Sequence, residues 1–137
     1  MSTQTRTQQK TVWPTLVYDD ARGAIRFLLD TFGFEERITV PDEGDPSVVV
    51  HAQLRWPEGG GVMLSTAGRE GNVFSQRATG SGAVYVVTDD PDSLYARATA
   101  AGLPVVQEIQ DEDYGGRGFS VRDPEGNLWS FGSYRGE

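Results

Sequence analysis

Residues 122–131 read Arg-Asp-Pro-Glu-Gly-Asn-Leu-Trp-Ser-Phe and predict a strand, a tight turn and a second strand. The Asp-Pro pair favours the start of a turn, and Gly126 and Asn127 both tolerate a positive φ. The alternating run after the turn is typical of a half-buried strand, with Trp129 and Phe131 facing the core. This segment therefore predicts a β-hairpin near the end of the chain.

Composition limits the classes of protein to which the chain can belong. The 137 residues include 20 acidic and 12 basic side chains, which gives a formal net charge of −8, and there is no cysteine. Nucleic-acid phosphates need basic partners, and a chain without cysteine forms no disulfides or thiolate metal sites, in agreement with a cytoplasmic location. No apolar run approaches the roughly 18 residues of a membrane span. We therefore expect neither a nucleic-acid nor a membrane partner.

The same order of elements occurs twice along the chain. Each half predicts a strand, an Asp-Asp helix cap (Asp19-Asp20 and Asp89-Asp90), a helix and three strands. One βαβββ module leaves a sheet face bare, so two such modules should pair. We therefore predict an α+β fold in which two βαβββ modules form a cupped, mixed eight-stranded sheet, with the helices outside and a cavity inside.

The predicted organisation is one domain after a short leader. Residues 1–9 are polar, lack the apolar core of a signal peptide and are expected to form a disordered leader. The domain spans residues 10–137, with modules at about 10–66 and 83–134. Residues 67–82 show no clear period and are interpreted as a linker or as a flap across the site.

Three segments of this pattern resemble a known superfamily. They are Leu16-Val-Tyr-Asp-Asp with Phe32-Gly-Phe, Val87-Thr-Asp-Asp-Pro-Asp, and Asp123-Pro-Glu-Gly-Asn. Together with the paired modules, they resemble the glyoxalase, bleomycin-resistance and extradiol-dioxygenase proteins of the vicinal oxygen chelate superfamily. For its enzymes the resemblance implies a divalent metal held by four strands. For its bleomycin-resistance branch it implies a metal-free homodimer with the ligand in a groove between subunits.

The resemblance also allows the metal positions to be located on this chain. In the enzymes two ligands come from the first strands of the modules and two from the last strands. Strand alternation places Trp13, Met63, Ala83 and Ser130 at these positions. Zn²⁺, Fe²⁺ and Mn²⁺ prefer imidazole, thiolate or carboxylate ligands, and none of the four residues supplies one. We therefore predict that the protein has neither a metal nor another cofactor.

His51 is the only histidine in the chain. Three roles fit it: a half-buried sheet residue bonded to a neighbour, a polar contact to a ligand, or a catalytic base. An imidazole titrates near neutral pH and so suits a base. The sequence places no nucleophile or acid beside it, however, and we assign no catalytic residue.

A cavity without a metal would bind by shape, stacking and hydrogen bonds. Flat aromatic walls suit flat ligands, and an acidic rim favours cations. For Trp56 and Phe74, packing of a loop or contact with a second subunit is the alternative role. The expected ligand-binding residues are Trp13, His51, Gln53, Arg55, Trp56, Met63, Phe74, Tyr85, Tyr114 and Ser130.

These observations favour a metal-independent binding protein. Its expected ligand is a small molecule, a flat aromatic or cationic natural product that the protein sequesters as a homodimer, as in antibiotic resistance. The alternative is a glyoxalase-like lyase or isomerase, or a dioxygenase, with a changed ligand set. An accessory protein of the same fold without a strong ligand is a third hypothesis.

Overall fold

The computed structural model describes residues 11–136 and contains two four-stranded sheets, each with one α-helix against it. The strands are β1 (Thr15–Tyr18), β2 (Glu35–Pro41), β3 (Val49–Arg55), β4 (Gly61–Thr66), β5 (Ala83–Val87), β6 (Val105–Asp111), β7 (Arg117–Arg122) and β8 (Leu128–Gly132). The helices are α1 (Ala21–Phe27), which continues as a π-helical segment (Leu28–Phe32), and α2 (Pro91–Ala100). The predicted α+β class and the two βαβββ modules are confirmed, whereas the leader predicted at residues 1–9 lies outside the described residues.

Each module has the same strand order, β1-β4-β3-β2 in the first and β5-β8-β7-β6 in the second. The first strand of each module pairs in parallel with the last, and the other pairs are antiparallel. The eight strands thus divide into two sheets of four, with β1 and β2 as the edge strands of the first sheet and β5 and β6 as those of the second. In the described part of the chain, neither helix has the length and hydropathy needed to cross a membrane.

Both helices begin at the predicted aspartates. The Asp20 carboxylate accepts a hydrogen bond from the backbone N–H of Gly23 (3.0 Å), and Asp90 accepts one from Ser93 (3.2 Å). These bonds satisfy N–H groups that a helix leaves unpaired in its first turn. The helical part of the first module ends at Gly33, whose φ is +90°, a conformation that glycine adopts without steric cost.

The hydrophobic core lies on the helix side of both sheets. Phe32, at the end of the π-helical segment, is fully buried, with its ring centroid 4.6 Å from that of Phe131 and 5.5 Å from that of Trp129. Phe131 and Trp129 face the core on β8, as the alternation predicted. Because the helical part of the first module packs on the last strand of the second, the two modules share one core.

The Asp-Pro-Glu-Gly-Asn turn holds a buried carboxylate that connects the two modules. Asp123 is 3% exposed, and its Oδ2 accepts hydrogen bonds from the Tyr18 hydroxyl (2.6 Å), Trp129 Nε1 (3.0 Å) and Asn127 Nδ2 (3.1 Å). Its Oδ1 accepts bonds from the backbone N–H groups of Glu125 and Asn127, both at 3.0 Å. These five donors compensate the cost of burying the carboxylate.

The turn uses Gly126 and Asn127 in different ways. Gly126 has a φ of +101°, whereas no residue other than glycine among those described has a positive φ, so the tolerance of Asn127 for that conformation is not used. The Asn127 side chain is buried instead, and its Oδ1 accepts a hydrogen bond from the backbone N–H of Gly82 (2.8 Å). Asn127 therefore fixes the end of the 67–82 segment to the hairpin.

Two reciprocal contacts, here called the carboxylate clasps, join the ends of the modules. In the second module, Glu125 accepts hydrogen bonds from the backbone N–H groups of Asp19 and Asp20 (2.7 and 2.9 Å). In the first, Glu58 accepts bonds from the Thr88 hydroxyl and the Asp89 N–H, both at 2.8 Å. Each module thus binds the chain just before the other module's helix.

Strict alternation breaks down at the start of β3. A period of two would place Val50 on the same face as the buried Ala52 and Leu54, but Val50 is exposed and Val49 is fully buried. The register shifts between Val40 and Pro41 of the neighbouring strand β2, which face His51 and Val49 respectively. Such a bulge inserts an extra residue and reverses the facing of the side chains beyond it.

The buried phenol of Tyr18 makes the protein less stable at alkaline pH. Its pKa is raised well above the usual value, first by burial and then by the nearby Asp123 carboxylate. In the unfolded chain the tyrosine hydroxyl loses its proton at a pH of about 10, whereas in the folded chain Tyr18 keeps its proton at that pH. The unfolded state then binds fewer protons, so stability falls as the pH rises above about 10.

We expect Tyr18→Phe to lack this dependence. The variant should have a lower free energy of unfolding at neutral pH. Above the tyrosine pKa, however, its free energy of unfolding should fall less steeply with pH than that of the wild-type protein, by about 1.4 kcal/mol per pH unit. Urea denaturation at several pH values between about 8 and 11 measures both proteins. If the free energy of unfolding fell equally steeply with alkaline pH in the two proteins, Tyr18 would not be the cause of the pH dependence.

Candidate ligand-binding site

The face of each sheet opposite the helices, here called the open face, carries polar and aromatic side chains. Paired residues on neighbouring strands point to the same face. In the first module Met63 pairs with both Thr15 and Gln53. In the second module Ser130 pairs with both Tyr85 and Ser120. The register therefore fixes the centre of each open face.

The register changes two of the four expected metal positions. Trp13 precedes β1, and the residue opposite Met63 is Thr15. Ala83 pairs with Leu128, and the residue opposite Ser130 is Tyr85. The positions that meet across the parallel strand pairs thus supply two aliphatic hydroxyls, a thioether and a phenol.

These donors do not fit a divalent transition metal, which prefers imidazole, thiolate or carboxylate ligands. Within residues 11–136, no three His, Asp or Glu side chains converge in a way that could hold a metal ion. The described residues therefore offer no suitable donor set for the metal that the resemblance implies.

The open face of the second module contains two adjoining hollows. One, here called the tyrosine recess, has a volume of about 130 Å³ and is lined by Tyr85, Gln107, Glu112, Tyr114, Ser130 and Tyr134, among others. The other is a shallower, more apolar hollow of about 390 Å³, lined by Ala83, Val84, Tyr85, Val106, Ser120, Leu128 and Ser130. Because Tyr85 and Ser130 line both, the hollows form one continuous surface.

Three tyrosines define the recess. Tyr85 and Tyr114 are 47% and 62% exposed, and their rings are therefore accessible to a ligand. The Tyr85 hydroxyl donates a hydrogen bond to the backbone carbonyl of Tyr134 (2.6 Å), and the Tyr134 ring meets that of Tyr114 edge to face at 4.9 Å. The pKa of Tyr85 is raised, first by desolvation and then by Tyr114, so its phenol is neutral at physiological pH.

The floor and rim of the recess add hydrogen-bonding groups. The Ser120 and Ser130 hydroxyls are 2.6 Å apart and bond to one another. Arg117 lies at the rim and pairs with Asp92 (3.1 Å) and Asp111 (3.2 Å). Asp92 and then Asp111 raise the pKa of the Arg117 guanidinium, which is therefore always charged.

The structure places His51, Gln53 and Met63 on the open face of the first module. His51 Nε2 lies 2.9 Å from Gln53 Nε2, so that the two side chains form a hydrogen-bonded pair when the amide donates to an unprotonated ring nitrogen. This arrangement agrees with the structural role considered for His51. No nucleophile among the described residues is hydrogen-bonded to it.

Four predicted site residues lie elsewhere. Trp56 is buried in the core, where its ring packs on Phe34 (4.9 Å) and its Nε1 donates to the Val87 carbonyl (2.9 Å). It lines neither hollow of the open face, but a separate cleft of about 260 Å³ together with Phe34 and Val86. Arg55 is paired with Glu35 at the end of the β2–β3 pair. Trp13 lies beside Gly61, and Phe74, 64% exposed, lines neither hollow.

The recess also contains residues that the sequence reasoning missed, notably Gln107, Glu112, Ser120 and Tyr134. Counting outward from the hairpin turn would have found Ser120, because Ser120 pairs directly with Ser130. Gln107 follows a register shift in β6. Glu112 and Tyr134 lie outside the strands, where alternation gives no signal.

Comparison with known proteins gives consistent results. The profile of the Glyoxalase/Bleomycin resistance protein/Dioxygenase superfamily matches residues 10–131. The protein Mb0911c of Mycobacterium bovis is 35% identical in an alignment of 124 residues that covers 87% of this chain and 80% of that protein.

Solved structures with similar folds support the same assignment. The crystal structure of TioX from Micromonospora sp. ML1 has a TM-score of 0.76 and 33% identity and covers 93% of this chain and 100% of TioX. The lactoylglutathione lyase of Agrobacterium tumefaciens has a TM-score of 0.64 over 90% of this chain and 93% of its own, but at 22% identity the likeness is one of fold alone. The chain therefore belongs to the glyoxalase/bleomycin resistance protein/dioxygenase superfamily.

Proposed function

We propose that this protein is a metal-independent small-molecule binding protein that sequesters a flat aromatic ligand, in the manner of an antibiotic-resistance protein. The observation that carries the proposal is the chemistry of the open faces. Where superfamily enzymes would need metal ligands, the second module offers accessible tyrosine rings above a pair of serine hydroxyls. Such a surface suits stacking and hydrogen bonding, with about 0.5–1.5 kcal/mol per aromatic pair beyond burial.

The first test concerns ligand binding. We expect a panel of flat aromatic antibiotics to include compounds that quench the tyrosine fluorescence of the protein and bind by calorimetry. Tyr114→Ala should weaken the binding of such a compound about threefold to tenfold, because one stacking partner is lost. Phe74→Ala is the matched control, since Phe74 is equally exposed but lines neither hollow. A compound that loses affinity through Phe74→Ala and not through Tyr114→Ala would place the site elsewhere.

The second test concerns metal. We expect elemental analysis of the purified protein to find far less than one Zn, Fe, Mn or Ni per chain, because the paired open-face positions supply no imidazole, thiolate or carboxylate. Treatment with a chelator should leave ligand affinity unchanged. A content near one metal ion per chain, lost together with ligand binding on chelation, would overturn the proposal.

The proposal includes a homodimer in the cytoplasm. Edge strands β1 and β5 leave backbone groups open to pairing, and Val106, on the opposite edge strand β6, is an exposed apolar side chain that lines the shallow hollow. The absence of cysteine is in keeping with a reducing compartment. Light scattering should give about twice the chain mass of 15.0 kDa, and a monomer at micromolar concentration would contradict the assembly.

A further inference from the structure

We infer that the tyrosine recess selects a positively charged aromatic group, with Glu112 as its counter-ion. This inference rests on the proposed function, because it assigns a charge to the ligand of the same site.

The rings of the recess suit a cation. The face of a tyrosine ring carries negative potential and attracts ammonium, guanidinium and aromatic cations. The edge-to-face contact between Tyr114 and Tyr134 directs their faces differently, and the Tyr85–Tyr134 hydrogen bond fixes the third tyrosine beside them. A group in the recess thus meets more than one ring.

Glu112 supplies a negative charge that no cation of the described chain neutralises. Its carboxylate accepts hydrogen bonds from Gln107 Nε2 (2.7 Å) and Gln110 Nε2 (3.3 Å), both from neutral amides. It belongs to none of the four ion pairs found within residues 11–136. The two amides hold the carboxylate in place in the recess wall, and its full charge remains available to a ligand.

Arg117, the cation in the recess wall, does not neutralise the negative charge of Glu112. The Arg117 guanidinium is shared between Asp92 and Asp111, so this group of three carries a net negative charge. With Glu112, the charged groups around the recess sum to an excess of acid. An anionic ligand would meet no unpaired positive charge there, whereas a cationic one is attracted by Glu112 and by the rings together.

Matched probes test the charge directly. N-methylquinolinium is a permanent cation, and quinoline is a neutral ring system of nearly the same shape at alkaline pH near 8, where it is unprotonated. We expect calorimetry or NMR titration to show the cation binding about fivefold more tightly than quinoline. Raising the salt to about 0.3 M should reduce this ratio.

Glu112→Gln and Asp113→Asn are the matched variants. Glu112→Gln should bring the two affinities to within about twofold, chiefly by weakening the binding of N-methylquinolinium. Asp113→Asn removes an adjacent exposed carboxylate that does not line the recess, and the preference should persist. Unchanged thermal unfolding of both variants would show that the fold is retained.

The outcomes separate this inference from the proposed function. If the wild-type protein binds both probes equally, or if Glu112→Gln keeps the preference, the charge inference is overturned and the binding site stands. If neither probe binds although members of the flat antibiotic panel do, the inference is also overturned. If no compound of the antibiotic panel binds either, both the proposed binding function and the preference for a cation are wrong.

Discussion

Replacement of Asp123 by alanine is expected to lower the free energy of unfolding by about 3–5 kcal/mol. The variant removes the acceptor of five hydrogen bonds and leaves the buried Tyr18 hydroxyl and Trp129 Nε1 without it. The loss is large because these donors lie in the shared core, where water does not replace the carboxylate. Urea denaturation followed by circular dichroism measures the change.

Asp113→Ala is the control for Asp123→Ala. Asp113 is an exposed carboxylate in the β6–β7 loop, and its replacement should change the free energy of unfolding by no more than about 0.5 kcal/mol. A double-mutant cycle with Tyr18→Phe should also show non-additivity, because the two residues share a hydrogen bond. An Asp123→Ala loss below about 1 kcal/mol would show that the network contributes little to stability.

Trp56→Ala is expected to cost about 3–5 kcal/mol of stability, as for other large aromatic residues truncated in a core. The Trp56 ring packs against Phe34 and Phe131, and its Nε1 hydrogen-bonds to the Val87 carbonyl of the other module. The affinity of the folded variant for a ligand of the tyrosine recess should be unchanged, because Trp56 does not line it.

Trp13→Ala is the control for Trp56→Ala, because it also replaces a tryptophan. Trp13 is half-buried before β1, so Trp13→Ala should lower the free energy of unfolding by only about 1–2 kcal/mol. Chemical denaturation and calorimetry, performed on both variants, separate stability from binding. If Trp56→Ala folds normally and loses ligand, Trp56 belongs to the ligand site and the placement of the ligand in the tyrosine recess is wrong.

Features set by local chemistry were predictable from the sequence. Asp20 and Asp90 begin helices as expected, because a cap depends only on residues within the first helical turn. The hairpin register follows from the turn after Arg122, which fixes Trp129 and Phe131 in the core and Ser130 on the open face. The resemblance to the superfamily rested on the same segments.

The rest depended on long-range geometry. The bulge opposite Val49 reversed the facing of one strand end, and alternation gave no sign of it. Trp56 follows the last residue of β3, where the chain leaves the sheet and the period of two no longer applies. Glu112 and Tyr134 come together only because two segments outside the strands approach over β7 and β8, which no pattern within one strand can predict.

The one-sided core has a consequence for how this chain can change. Nearly all buried apolar side chains lie in the single cluster on the helix side of the sheets. Side chains of the open faces, such as Thr15, Met63 and Ser120, are only partly buried or exposed, and substitutions at such positions change stability little. A library randomised at these positions should therefore retain folded members at high frequency, and ligand preference can diverge by mutation without compensating changes in the core.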